Sequence, residues 1–127
     1  MNHIFRAVGR GPLGRAPVVA EVERLVNTLM RNGTRRADMT AAICGGAHLF
    51  KRGRDHGAAI ADACLGYLST EEIPIIQAST GGHRARLVRF CPYDGTVMVS
   101  HPGDTFTGDL RQFGTRHDNV PDRTELF

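Results

Sequence analysis

The sequence predicts an α/β protein, in which stretches of helical period alternate with short apolar runs that end in glycine. Three observations carry this reading. Val18, Val22, Leu25, Val26, Leu29 and Met30 recur at the spacing of one helix face, and Ile60, Ala63, Cys64, Tyr67 and Leu68 repeat the pattern. Between and after these segments lie two compact apolar runs, 39–44 and 73–78. Finally, 87–90 and 96–100 flank Pro92-Tyr93-Asp94-Gly95, residue types suited to a tight turn, so the chain closes its sheet with a hairpin.

In chain order, Asn2 to Val8 alternates weakly and reads as a short strand, and Gly9-Arg10-Gly11-Pro12-Leu13-Gly14 is a loop because glycine and proline crowd it. Pro17 suits the first turn of the first helix, and Gly33 ends it. Met39 to Cys44, stopped by Gly45-Gly46, is a buried strand by its length and flanks. After a loop of charge and glycine to His56 comes the second helix. The strand at 73–78 follows, with Pro74 confined to its start. The unit is β-α-β-α-β plus a hairpin, and the hairpin makes the sheet mixed. His101 to Phe127 has no sustained periodicity and reads as a loosely docked or disordered tail, so the domain is expected to span 1–101 and the tail 102–127.

A length of 127 residues with 41% hydrophobic content suits one domain with a real core. No apolar run approaches the roughly 20 residues of a membrane span, and the first residues are too quickly charged for a signal peptide, so a cytoplasmic protein without membrane insertion is expected. Cys44, Cys64 and Cys91 are odd in number and widely spaced, which fits reduced thiols. The net charge of +3 is carried by arginine, since Lys51 is the only lysine. Basic clusters fall at Arg31-Arg35-Arg36, Lys51-Arg52-Arg54 and Arg84-Arg86-Arg89. With few aromatics to stack on bases, they fit solvated surface or an acidic protein partner before nucleic acid.

The candidate site lies in two glycine pairs. Gly45-Gly46, after the first long apolar run, and Thr80-Gly81-Gly82, after the second, place turns that permit positive φ and close backbone approach at two strand ends. Such turns can shape one substrate cleft or simply reverse the chain. Thr80 is placed to hydrogen-bond within its own turn. Arg84 and Arg86, two apart, would share one strand face and could meet an acidic surface. Gly9-x-Gly11-x-x-Gly14 has the outline of a dinucleotide-binding turn, but Pro12 stiffens it and Asp38 precedes the next strand instead of closing it. His48, His56, His83, His101 and His117 show no ligand spacing and the cysteines form no Cys-x-x-Cys pair, so neither metal nor cofactor is expected. Cys44 abuts a glycine turn, yet its apolar neighbours suit an inert buried thiol.

In order and wording, Gly45-Gly46-Ala47-His48-Leu49-Phe50 and Thr80-Gly81-Gly82-His83-Arg84-Ala85-Arg86 resemble the bacterial chemoreceptor glutamine deamidases, the CheD family, over about residues 1–100. The resemblance implies a three-layer α-β-α sandwich whose first strands precede the position of Met1, leaving N-terminal strands missing here. It also implies a cysteine–histidine amidohydrolase, a protein-glutamine glutaminase of chemotaxis, that converts receptor glutamines to glutamate. Its nucleophile would come from a Gly-Ser-Cys segment ahead of the position of Met1. Met1-Asn2-His3-Ile4-Phe5 matches the start of the family's Met-x-His-x-x-Leu-Pro segment, which makes His3 the catalytic base; Arg6-Ala7 stands where Leu-Pro is expected. Ala59 and Ile60 replace an Arg-Asn pair at the second helix. Chemotaxis receptors and a CheC-type phosphatase are the implied partners, with Arg84 and Arg86 as receptor-facing candidates. A non-catalytic regulatory module with the same binding surface is the alternative, and a nucleotide-binding protein a lesser one.

Overall fold

The computed structural model describes residues 1–5, 9, 11, 13–49 and 53–104, together with the backbone of a terminal strand at 124–126. The first helix, α1, spans Ala16–Arg31 with Pro17 in its first turn. Val18, Val22 and Val26, four residues apart, are its buried stripe. Its end is a Schellman turn: Gly33 at φ +97° donates to the Met30 carbonyl (3.0 Å) and Thr34 to that of Leu29 (3.1 Å), satisfying carbonyls the helix leaves open. A single 3₁₀ turn, Arg36–Asp38, leads into β1, Ala41–Gly45.

Helix α2, His56–Thr70, begins one turn earlier than its apolar pattern alone indicates because Asp55 caps it, accepting the Ala58 N–H at 2.9 Å. It ends on a second Schellman turn in which Glu72 holds the left-handed position at φ 55°, Ile73 N–H reaching the Leu68 carbonyl at 2.9 Å. Strand β2, Ile75–Thr80, then runs parallel to β1, so β1-α2-β2 is a crossover unit. Val18, Val22, Val26, Met39, Ala63, Cys64, Leu68 and Ile73 form one core, with Ile4, Ala41 and Ile43 packed at its margin. Ala41 and Ile43 face the helices; by alternation Ala42 and Cys44 face the other side of the sheet.

Strands β3, Leu87–Phe90, and β4, Val97–Ser100, make the expected antiparallel hairpin, and β5, Thr124–Leu126, pairs with the other edge of β3. The molecule is therefore α/β, and among the described residues its parallel and antiparallel pairings lie in two small sheets, β1-β2 and β4-β3-β5, where the sequence led us to expect one mixed sheet. Gly81 and Gly82, at φ +72° and +73°, turn the chain out of the parallel pair before β3 starts. Helices α1 and α2 share one core; no third α-helix occurs among the described residues. Residues 2–5 lie in no strand, their anchors being Ile4 in the core margin and the Asn2 amide on the Glu21 carbonyl (3.1 Å); residues 6–8 of the expected first strand lie outside the described residues. So does most of the expected tail, although Thr124–Leu126 is strand. No described helix is long and apolar enough to cross a membrane.

Candidate functional site

Parallel pairing of β1 with β2 sets Gly45 beside Thr80 and carries both glycine pairs to the same end of the sheet. The ladder continues past the strands, with Gly81 N–H on the Gly45 carbonyl (3.0 Å) and His48 N–H on the Gly82 carbonyl (2.8 Å). Loops beyond the carboxyl ends of parallel strands are where α/β folds place ligands. Here Gly45, Gly46, Gly81 and Gly82 all have positive φ, so the turns expose backbone without Cβ atoms. The start of α2 is pressed onto the first turn: a Cβ on Gly46 would lie 2.8 Å from the Gly57 carbonyl oxygen. Only glycine at both positions lets helix and turn meet this closely.

Side chains from three segments converge on these turns. Arg86 is buried, 7% exposed, and spans the ends of both strands: Nε donates to Ser79 Oγ at 2.9 Å and Nη1 reaches the Gly45 carbonyl at 3.5 Å. Its charge also acts on Cys44, whose thiol is held above its ordinary pKa by burial, with Arg86 pulling the other way. His48 Nδ1 lies 3.7 Å from Asp55 Oδ1, the oxygen that caps α2. His83 Nδ1 meets the His48 carbonyl at 3.2 Å, and the two imidazoles stand edge to face with centroids 6.1 Å apart. No cluster of three metal-binding side chains occurs among the described residues.

The sequence-level candidates fare differently. Gly45, Gly46, Thr80, Gly81 and Gly82 come together in this one place. Arg84 and Arg86 precede β3 and do not share a strand face: Arg84 is exposed and paired with Asp104 (3.0 Å), whereas Arg86 is turned inward by Ser79 and Gly45. His3 lies on the exposed N-terminal segment, edge-on to Phe5 at 4.6 Å. Of the other basic clusters, Arg35 binds Asp38 and Arg36 binds Glu71, while Lys51 and Arg52 lie outside the described residues. The glycines of the dinucleotide-like turn spend donors on themselves: Gly9 N–H bonds the Gly14 carbonyl (2.9 Å) and Gly14 N–H that of Gly11 (3.0 Å). Those donors are then not free for a pyrophosphate.

Sequence reasoning missed Ser79, Asp55, His48, His83 and Gly57 as members of the site. Asp55 had a signal, an acceptor side chain directly before a helix. His48 and His83 are 35 residues apart and only strand pairing makes them neighbours.

An α/β unit whose parallel strands both end in paired, positive-φ glycines is the class of protein defined here. A family model described as CheD chemotactic sensory transduction matches residues 18–101, more than half of the chain. The chain belongs to the CheD family. It is 36% identical over 106 residues to the probable chemoreceptor glutamine deamidase CheD 1 of Ruegeria sp. (strain TM1040), an alignment covering 82% of this chain and 57% of that protein. It is 45% identical over 76 residues to the probable chemoreceptor glutamine deamidase CheD of Caulobacter vibrioides (strain NA1000 / CB15N), covering 60% and 41%. With the CheD of Acidiphilium cryptum (strain JF-5) the identity is 39% over 102 residues, covering 75% and 53%. The chain thus spans about half the length of the curated relatives it matches.

Proposed function

We propose that this chain is part of a cytoplasmic enzyme of chemotaxis that deamidates glutamine side chains on chemoreceptors. The family match, which runs through both glycine pairs, carries the reading. Hydrolysing a primary amide at neutral pH takes a nucleophile, a base and donors for the tetrahedral oxyanion. In the cysteine–histidine scheme, thiolate adds to the side-chain carbonyl carbon, imidazolium protonates departing ammonia, and water activated by the same imidazole releases glutamate from the thioester. His3 is the proposed imidazole. The thiol is proposed to come from a Gly-Ser-Cys segment, a sequence these 127 residues do not contain. None of the described cysteines is arranged for that role: burial keeps Cys44 and Cys64 protonated, and the Cys91 thiol bonds the Asp94 carboxylate.

The Gly45–Gly46 and Gly81–Gly82 turns, with Thr80, are proposed to form the wall along which a receptor helix presents its glutamine. Arg84 is the exposed cation beside it, and a CheC-type phosphatase is a further proposed partner. Purified protein that includes a Gly-Ser-Cys segment ahead of these residues is to be incubated with receptor cytoplasmic fragments, reading ammonia release and the glutamine-to-glutamate mass change. Conversion that His3→Gln abolishes is the expected result. Receptor binding with no conversion by protein that includes a Gly-Ser-Cys segment would refute the enzyme and leave a regulatory module.

A further inference from the structure

The described arginines divide in an unexpected way. Arg24, Arg35, Arg36 and Arg84 each have a carboxylate partner, Glu21, Asp38, Glu71 and Asp104 respectively, and Arg15, Arg31 and Arg54, which have no such partner among the described residues, are exposed to solvent. Arg86 is the buried one, and its contacts are two neutral oxygens, Ser79 Oγ and the Gly45 carbonyl, the second at the limit of hydrogen bonding. A guanidinium carries five N–H donors, and a desolvated cation without a counter-ion is costly. The Cys44 thiol feels the Arg86 charge, but burial outweighs that pull and raises the thiol's pKa. Beside the guanidinium the fold leaves room. A Cβ on Gly81 would meet nothing within 4 Å, and one on Gly82 would meet only Arg86 Nη2, at 3.9 Å.

We propose that Arg86 and the Gly81–Gly82 turn form a carboxylate-binding subsite that takes the glutamyl side chain left by deamidation. The assignment rests on the proposed function for the identity of that carboxylate; the buried cation and the open glycine turn are properties of the fold. Nε and Nη1 are held by Ser79 and Gly45, which leaves Nη2 as the donor facing the glycines. A charged carboxylate gains more from that donor than a neutral amide does, because charge-assisted hydrogen bonds are about twice as strong as neutral ones. The product is then held more tightly than the substrate, and the enzyme is restrained by its own product.

The test uses the whole chain, labelled with ¹⁵N, titrated with N-acetylglutamate α-amide and with its glutamine counterpart. Saturable shifts at the Ser79, Gly81 and Gly82 amides and at Arg86 Nε are expected, with affinity for the glutamate form at least about tenfold higher, or about 1.4 kcal/mol. Arg86→Gln should abolish the preference. Arg86→Lys, which keeps the charge without the fork, should retain part of it. Equal binding of the two forms, absence of saturable shifts, or shifts confined elsewhere in the wild-type chain would overturn the subsite, and the wild-type titration decides even where a variant does not fold. Protein that converts receptor glutamine but shows no such preference sinks this inference alone, whereas glutamate binding without conversion sinks only the enzymatic reading.

Discussion

Gly57 and Gly66 lie in the same helix, α2, and the same substitution should have opposite effects at the two sites. Alanine favours a helix interior over glycine by up to about 1 kcal/mol. At Gly66, which is exposed and where an added Cβ meets nothing within 4 Å, that gain is unopposed. At Gly57 the Cβ would lie 2.6 Å from both the carbonyl carbon and oxygen of Gly46 and 3.0 Å from its Cα. Carbon atoms pack at about 3.5–4.0 Å, so helix and turn must separate by roughly 1 Å, and backbone cannot rotate away as a side chain would. Overpacking of this kind costs about 1–3 kcal/mol, which outweighs the helix gain. Gly66→Ala should therefore be stabilised by up to about 1 kcal/mol and Gly57→Ala destabilised by about 1–2 kcal/mol. Urea unfolding followed by far-ultraviolet circular dichroism measures both, and the thermal midpoints should differ by about 10 °C or more. If Gly57→Ala proves as stable as Gly66→Ala, the close seating of α2 on the Gly45–Gly46 turn is wrong, and the account of the site built on it fails.

Further outcomes follow from the caps, thiols and turn carboxylates. Glu72→Gly relieves a left-handed residue at the end of α2 and should raise stability by up to about 1 kcal/mol in the same unfolding measurement. Asp55→Ala removes the cap on Ala58 N–H and should cost about 1 kcal/mol, read the same way. Burial raises the pKa of the Cys44 and Cys64 thiols, so near pH 8 both should react with an aromatic disulfide more slowly than in the unfolded chain; Arg86→Gln should slow Cys44 further and leave Cys64 unchanged. The Thr96 N–H and hydroxyl and the Cys91 thiol hold the Asp94 carboxyl below its usual pKa. A depressed carboxylate stabilises the fold above its unfolded value, about pH 4, and that contribution fades as pH falls through the folded value. Asp94→Asn should flatten the acid limb of a stability–pH profile and leave its slope above about pH 5 untouched.

The helices and strands were legible because each has a local cause. Valines four apart wrote α1, Gly33 wrote its end, and Pro92-Tyr93-Asp94-Gly95 wrote the hairpin. What escaped was pairwise. Nothing local says that Gly46 will touch Gly57, or that β5 will pair with β3 from near the far end of the chain. The sequence pattern also leaves open how the strands divide, and the left-handed glycines after β2 break one expected mixed sheet into two. In the site, the glycine pairs were visible as a composition signal, whereas Arg86 was misplaced. A residue spacing of two suggested a strand face, but Arg84 and Arg86 lie in the turn before β3, where spacing does not fix direction.

Arg86 thereby changes what the glycine pairs mean. Without it, two turns that lack Cβ atoms would be an economical way to reverse a chain, and nothing more. A buried guanidinium bonded to Ser79 and Gly45 fixes both strand ends in one arrangement while setting positive charge against bare backbone. Local stability alone would be served as well by an apolar side chain of similar volume, since buried charge without an ionic partner costs more than well-packed hydrocarbon. An Arg86→Met chain that unfolds at higher urea than the wild type, yet no longer distinguishes glutamate from glutamine, would separate the two roles. Such a result would show that this cation is retained for what it binds, and one less stable than wild type with its preference intact would show that it is a clasp between strands.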